Sequence, residues 1–390
     1  MYRLRKMKLI TFICAAMLIV VSCSGQPQSN PPAAAGAKES NADKTAPAKD
    51  TNWDTILEAA KKEGVVYCAC PPRPDYANAF KEGFEKAYPG IKLEVTAAPV
   101  PEFPVRVSNE QKTGKYLWDV WMFGTNLKIF DLKNEGGFEP FLDYVMHPEV
   151  LDGSVYDGGL KAAFLDQEKK YIFSIWNSVN TVAINRSMFP DVKINDIGDI
   201  LTNPLFKGKI VMGGDPRSGG SAAVFSTFIY HKYGKEGIKK LLVDQEAMIT
   251  RGNEEATEQF IRGGKGIAIP EILDDTLIKY KEAGLNLSFI DNAGNSPDVG
   301  HATVGGTAPA VFKNPPHPNA TKVFIHWLLS KEGQSYISKS LNNNSRRLDV
   351  PPVKPSAVPQ KGKEYFIPQL EEHVRESTNE VHNISRELIK

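Results

Sequence analysis

The chain has 390 residues, 41% of them hydrophobic and 24% charged, an ordinary globular profile. Its 47 basic and 46 acidic side chains nearly balance, and the first 22 residues carry four of the basic ones and none of the acidic. Without that stretch 43 basic residues face 46 acidic ones, a net charge of −3, which argues against a nucleic-acid partner held by general basicity.

The N-terminus reads as an export signal. Arg3, Arg5, Lys6 and Lys8 form a cationic start, and Leu9 to Val21 form an apolar run too short to span a bilayer, which needs ~20 apolar residues. The run ends in Val20-Val21-Ser22-Cys23, which resembles the bacterial lipobox. That resemblance implies a signal peptide over 1–22, diacylation (palmitate-type chains) of the Cys23 thiol, and cleavage just before it. Two acyl chains anchor firmly, since each buried CH₂ contributes ~0.8 kcal/mol. The alternative is a plain signal with an incidental cysteine. Residues 24–50 contain no Val, Ile, Leu or aromatic residue, so they cannot offset their ordering entropy by burial, and 23–52 reads as the acylated cysteine plus a flexible linker.

The body begins at Trp53, and about 340 residues at the usual ~150 per domain predict two domains. Apolar residues at Trp53, Ile56, Leu57 and Ala60 predict a helix that Gly64 stops, followed by a strand from Val65. The Pro71-Pro72-Arg73-Pro74 loop leads to a helix over 76–88, Pro89-Gly90 makes a turn, and 91–97 is a strand. A helix over 102–113 and a strand over 117–123, ending at Gly124-Thr125-Asn126, complete an alternating pattern that predicts α/β sheets binding ligand at strand C-termini. Cys68-Ala-Cys70 places both thiols on one strand face; with no further thiol pair, structural, redox and ligand-contact roles remain open. Two long apolar stretches, 171–185 and 299–313, predict two crossings between halves.

Several runs in order resemble type II extracellular solute-binding proteins: "EAAKKEGVV", "FEKAYPGIKLEV", "DVWMFG", "FKGKIVMGGDPRSGGSA", "GHATVGGTAPAVFKN", then Pro316-His317-Pro318-Asn319-Ala320, "FIHWLLSKEGQ" and "SRRLDV". The branch it resembles holds ferric-ion, phosphonate and sugar-phosphate receptors. The resemblance covers nearly all of residues 53–350. It implies an α/β fold of two lobes of mixed, mainly parallel sheet flanked by helices, joined by a two-strand hinge, with ligand in the cleft. The expected division is 53–175 plus 297–345 for lobe one, 176–296 for lobe two, and 346–390 as tail helices packing on a lobe. The tail's apolar positions are Phe366, Leu370, Val374, Val381, Ile384 and Leu388.

The most informative candidate site is Asp215 to Ser221, between a strand over 209–212 and a helix over 222–233. A Gly-rich turn at a helix N-terminus offers unpaired N–H groups and the positive end of the dipole, a natural anion site. Arg217, Ser218, Gly219, Gly220 and Ser221 would line it, with Arg217 as a charged donor. The competing reading is a cap by Ser221 or Ser218. The resemblance assigns the turn to anion binding and adds Asn253 as a further contact. It also carries a negative: ferric receptors place paired tyrosines where this chain has Pro270-Glu271-Ile272-Leu273-Asp274-Asp275. Glu271, Asp274 and Asp275 could hold a metal or an ammonium group, or simply form an acidic helix start. Arg73, Thr125 and Trp176 are weaker candidates: Arg73 for an anion, Thr125 as a strand-end contact, Trp176 as an aromatic wall or as core. His317 is expected to be structural.

No Gly-x-Ser-x-Gly, His-Glu-x-x-His or Walker loop is present. The sequence is therefore read as a non-enzymatic, monomeric substrate-binding component of an ABC importer, without cofactor, metal or nucleic acid. It is expected to be exported, anchored to a bacterial membrane through its lipid, and to present an anionic or zwitterionic solute to a permease and ATPase. A metal-binding receptor, a sensor lipoprotein and an exported hydrolase are the alternatives.

Overall fold

The computed structural model describes residues 53–71, 73–98, 102–270 and 274–389. These fall in one contact unit, Ala46–Lys390; the other, Met1–Thr45, lies outside the described residues, and with it Cys23.

The first half alternates as its sequence predicts. Helix α1 (Trp53–Glu63) ends at Gly64, whose φ of +72° suits glycine, and strand β1 (Val65–Cys70) follows. Helix α2 (Pro74–Ala87) starts two residues earlier than the apolar pattern indicates, because Pro74 sits in its first turn, where a missing N–H costs nothing. Then come β2 (Lys92–Ala97), α3 (Phe103–Lys112), β3 (Val120–Trp121), α4 (Leu127–Asn134), β4 (Phe138–Glu139) and the short α5 (Pro148–Leu151). The chain next forms β5 (Ser178–Asn180), β6 (Ala183–Asn185), α6 (Ile197–Thr202), β7 (Ile210–Met212) and the long α7 (Gly220–Lys239). It continues through β8 (Met248–Ile249), α8 (Asn253–Ile261), β9 (Ile267–Ile269), α9 (Asp274–Glu282) and β10 (Ile290–Asn292). Strands β11 (His301–Thr303) and β12 (Ala310–Phe312) lead to α10 (Pro318–Leu329), α11 (Lys331–Leu341), and the tail helices α12 (Glu371–His373) and α13 (Asn379–Leu388).

Two five-stranded sheets result, ordered β2-β1-β3-β12-β4 and β10-β6-β9-β7-β8. In each, four strands run one way and one opposes them, the mixed, mainly parallel arrangement that the resemblance implies. In the first, β1 runs parallel to β2 and β3 while β12 is antiparallel to β3 and β4. In the second, β7 runs parallel to β8 and β9 while β6 is antiparallel to β9 and β10. The antiparallel member has one origin in both sheets. Strands β5 and β11 pair antiparallel as a separate ribbon, His301 opposite Asn180 and Thr303 opposite Ser178. The chain leaves that ribbon directly into β6 of the second sheet in one direction and into β12 of the first in the other. The two apolar stretches noted in the sequence are these crossings.

Both sheets are covered on both faces, which follows from their nearly continuous apolar strands. In β1, Val66, Cys68 and Cys70 join one cluster with Phe80, Phe84 and Phe324, and Ala69 joins another with Phe103 and Trp121. In the second sheet, Ile184, Met212 and Ile267 meet Phe225 and Phe228 of α7, while Ala183, Val211 and Ala268 meet Phe260 of α8. Burying each such large side chain contributes roughly 1.5–3 kcal/mol. The carboxylate of fully buried Asp119 ties the first sheet to α10, accepting from Tyr67 N at 2.7 Å and His317 N at 2.8 Å. His317 is thus a structural residue at the start of a packing helix.

The tail does not pack on one sheet's layer. Leu370 and Val374 belong with the first sheet's core, and Ile384 and Leu388 with the second's. An amphipathic pattern reports that a helix has a buried face, not which partners bury it.

Candidate functional site

The site is built where β7 and β8 end and α7 and α8 begin. After Met212 the chain makes a tight loop. Asp215 accepts from Arg217 N at 2.8 Å, and its carbonyl accepts from Ser218 N at 3.1 Å. Gly219 adopts φ 119° and ψ −159°, and Gly220 has φ +75°. The first of these conformations is essentially confined to glycine. A Cβ at either position would meet nothing within 4 Å, so these glycines serve the backbone path and open onto free space.

Neither serine caps α7. Ser218 Oγ donates to Asp215 O at 3.3 Å. Ser221 lies inside the first turn; its Oγ stands 2.8 Å from Gly213 O and 2.9 Å from Asn253 Oδ1. One hydroxyl proton cannot serve two acceptors. The consistent assignment gives that proton to Gly213 O and turns the Asn253 amide so that its NH₂ donates to Ser221 Oγ. Gly213 is tight for the same reason, because a Cβ there would lie 2.1 Å from Asn253 Oδ1. No cap side chain accepts from the first N–H groups of α7, and its first turn carries no acidic residue. Two helix N-termini are thereby joined, Ser221 on α7 and Asn253 on α8. The positive end of α8 is already answered by Glu255, which accepts from Arg251 N at 2.9 Å, whereas that of α7 is not.

The charges around this turn are internally matched. Arg217 folds back on Asp215, Nη2 to Oδ2 at 2.7 Å and Nε to Oδ1 at 3.0 Å, and does not extend from the loop as the sequence reading expects. The guanidinium's hydrogen bonds hold the Asp215 carboxyl below the usual range, and Asp215 in turn raises Arg217. Arg73 is likewise paired, with Asp75 at 2.5 Å, its guanidinium 4.3 Å from the centre of the Tyr76 ring.

The other candidates separate. Thr125 Oγ1 donates to the tail carbonyl of Gln369 at 2.9 Å, and Asn126 beside it caps α4 by accepting from Ile129 N at 3.1 Å. Trp176 is core, not an exposed wall: it is 1% accessible and packs in the first sheet's cluster, and a Cβ on Gly305 would come within 2.7 Å of its ring. Glu271 lies outside the described residues, and Asp274 is described only as the first residue of α9. Among the described residues no group of three or more His, Cys, Asp or Glu is placed to hold a metal ion. Burial pushes the Cys70 thiol up to about 11 and raises the Cys68 thiol well above its ordinary value, so both are protonated thiols. An open depression of about 600 Å³ is lined by Tyr88, His147, Glu149, His326 and Trp327, away from this turn. Burial lowers His326 there to about 4, leaving a neutral imidazole.

Sequence reasoning did not find Gln369, Thr303 or Arg386. Gln369 Nε2 donates to Thr303 Oγ1 at 2.9 Å on the ribbon, and Arg386 Nη2 to the carbonyl of Arg217 at 3.1 Å. No local motif marks these residues; Gln369 and Arg386 reach their partners only through the tail's path.

Two α/β sheets linked by a crossing ribbon, with glycine turns at the strand ends, give the fold of the type II periplasmic binding proteins. The chain belongs to the bacterial extracellular solute-binding protein family, whose profile matches residues 79–364. No curated protein gives a significant sequence match. Iron-bound HitA from Pseudomonas aeruginosa superposes with TM-score 0.59 at 16% identity, over 84% of this chain and 99% of that one. Apo ferric ion-binding protein A from Pasteurella haemolytica gives 0.65 at 14%, over 83% and 98%. AfuA from Actinobacillus pleuropneumoniae, with fructose-6-phosphate bound, gives 0.55 at 18%, over 84% and 98%. At these identities the likeness is one of fold. The family is one of extracellular solute-binding proteins, and what these neighbours' names say they bind ranges from iron to a sugar phosphate.

Proposed function

We propose that this chain captures a small anion-bearing solute between two lobes and delivers it to a membrane permease. The lobes are 53–175 with 297–345 around the first sheet, and 176–296 around the second, with the β5–β11 ribbon as hinge. The observation that carries the reading is the start of α7: no capping side chain, no acid in the first turn, two positive-φ glycines facing open space, and Asn253 held beside them by Ser221. Backbone N–H groups from Gly220 onward, not the Arg217 side chain, form the seat, and Arg217 keeps Asp215 neutralised beside it. A phosphate, phosphonate or carboxylate group fits this donor set. Thr125 and Arg73 belong to the opposite lobe and would meet the solute only by exchanging their present partners. Glu271 and Asp274 would favour a solute that also carries a cation. Cys23, acylated, would tether the body to a bacterial membrane, in the periplasm or on the cell surface. Calorimetry against anionic, neutral and cationic solutes tests the proposal: binding of anions that weakens when the α7 turn is altered supports it, and binding of neutral sugars or polyamines alone removes it.

A further inference from the structure

The tail beyond residue 364 lies outside the part of the chain matched by the family profile, yet it makes some of the most buried contacts in the molecule. Helical backbone runs from Glu371 through Val374, Thr378 and Asn379 to Leu388, with a wider π-type turn over Val374–Thr378. Before that turn it is fastened to the first lobe. Glu371 Oε2 meets Lys133 Nζ at 2.7 Å with both side chains almost wholly buried, accepts from Gln167 N at 3.0 Å, and Arg375 pairs with Oε1 at 2.9 Å. After that turn it lies along α7 of the second lobe, with Val381 and Ile384 buried. Lys235 meets Glu387 at 2.7 Å, and Arg386 reaches the Arg217 carbonyl at 3.1 Å. Just upstream, Phe366 O accepts from Ala302 N at 3.0 Å, adding the tail to the edge of the ribbon, and the Phe366 ring stacks on His231 of α7 at 4.0 Å.

We propose that residues 366–388 form an inter-lobe strap, a third tie beside the two crossing strands, which must release α7 or bend at Val374–Thr378 for the lobes to separate. The inference rests on the reading that the lobes move apart to admit solute. The two grips are unequal. The first-lobe grip is a buried, multiply hydrogen-bonded charge cluster, and breaking such a pair leaves an uncompensated charge. The second-lobe grip consists of a few apolar side chains, the Phe366–His231 stack, the exposed Arg386 hydrogen bond and an exposed ion pair, and exposed polar pairs contribute little. The second half therefore lets go first. A widened turn between the Glu371 cluster and the α13 contacts gives the helix a place to bend, as such turns do within long helices. Release also frees the Arg217 carbonyl, so the anion seat and the strap are mechanically joined.

The test uses the whole chain in detergent with Cys14→Ser and Cys23→Ser, spin-labelled at Lys112→Cys and Lys207→Cys, one exposed position in each lobe. Cys68 and Cys70 are buried and take no label. Label distances are read without solute in the parent protein, in Ile384→Asp, and in the milder Ile384→Ala with Glu387→Ala. The strap predicts a second, longer distance in both variants and amide exchange over 379–388 at least about tenfold faster, with β1 amides unchanged. If Ile384→Asp does not fold, the milder pair decides. Folded variants with parental label distances overturn the strap, and because no solute is present that result leaves the anion seat standing.

Discussion

Replacing Gly219 with alanine tests whether the α7 turn is a shaped seat or an ordinary loop. At φ 119° and ψ −159° the residue occupies a region open essentially to glycine, and a side chain there costs ~1–3 kcal/mol. No atom lies within 4 Å of the added Cβ, so all of that cost is backbone conformation and none is crowding. Either the strain stays, and the midpoint of thermal unfolding falls by roughly 2–4 °C per kcal/mol, or the peptide groups around 219 rotate to relieve it and the first N–H groups of α7 lose their alignment. In the second case each charge-assisted hydrogen bond lost, ~1.5–3 kcal/mol, weakens anion binding by about tenfold or more. Gly252→Ala is the matched control. Gly252 also precedes a helix and also has nothing within 4 Å, but its φ of 175° and ψ of −177° are extended values any residue adopts. It should change stability by no more than ~0.5 kcal/mol and binding not at all. Thermal unfolding and calorimetry with inorganic phosphate read both variants; if the two alanines behave alike, the turn is not conformationally constrained and the reasoning is wrong.

Asp215→Asn should free the Arg217 guanidinium and tighten anion binding several-fold, whereas Arg217→Ala should bare the Asp215 carboxylate and weaken it about tenfold, both effects shrinking as salt rises in the titration. Glu371→Gln should cost about 3 kcal/mol of unfolding free energy by denaturant titration, since it leaves Lys133 buried with a weakened partner set. Burial alone would raise the Glu371 carboxyl, but Lys133, the Gln167 N–H and Arg375 outweigh it and hold it below the usual range. Its stabilisation is present above the unfolded value of ~4.3 and is lost as pH falls through the lower folded value. Parental protein should therefore lose stability on acidification more steeply than Glu371→Gln does. Cys23→Ala should leave the membrane fraction or remain unprocessed, as fractionation and intact-mass measurement would show.

The fold was legible where patterns are local. The i, i+3, i+4 spacing from Trp53 and the Gly64 stop mark α1 to the residue. The strand expected over 117–123 shrinks to Val120–Trp121, because Leu117 faces solvent and hydrogen-bonded pairing, not apolar content, defines a strand. The helix expected over 222–233 starts at Gly220 and runs to Lys239 across a break at Gly234, since positive-φ glycines permit a helix start that side-chain preferences disfavour. At the site, the turn from Asp215 to Ser221 announced itself, but the Arg217–Asp215 pairing did not. A charged residue two positions from an acid can extend or fold back, and only the loop's path decides. The tail was legible as an amphipathic helix and illegible as a bridge, because Gln369, Glu371 and Arg386 each find a partner more than 150 residues away in sequence.

The most direct test of the central claim is calorimetric titration of residues 46–390, cleared of retained solute, with phosphate, a phosphonate, a carboxylate, a neutral sugar, a polyamine and ferric citrate, in parental and Gly219→Ala proteins. The anion seat predicts binding of at least one phosphate-, phosphonate- or carboxylate-bearing solute that Gly219→Ala weakens by about tenfold or more. Binding confined to the sugar, the polyamine or iron, or anion binding indifferent to Gly219→Ala, would contradict it.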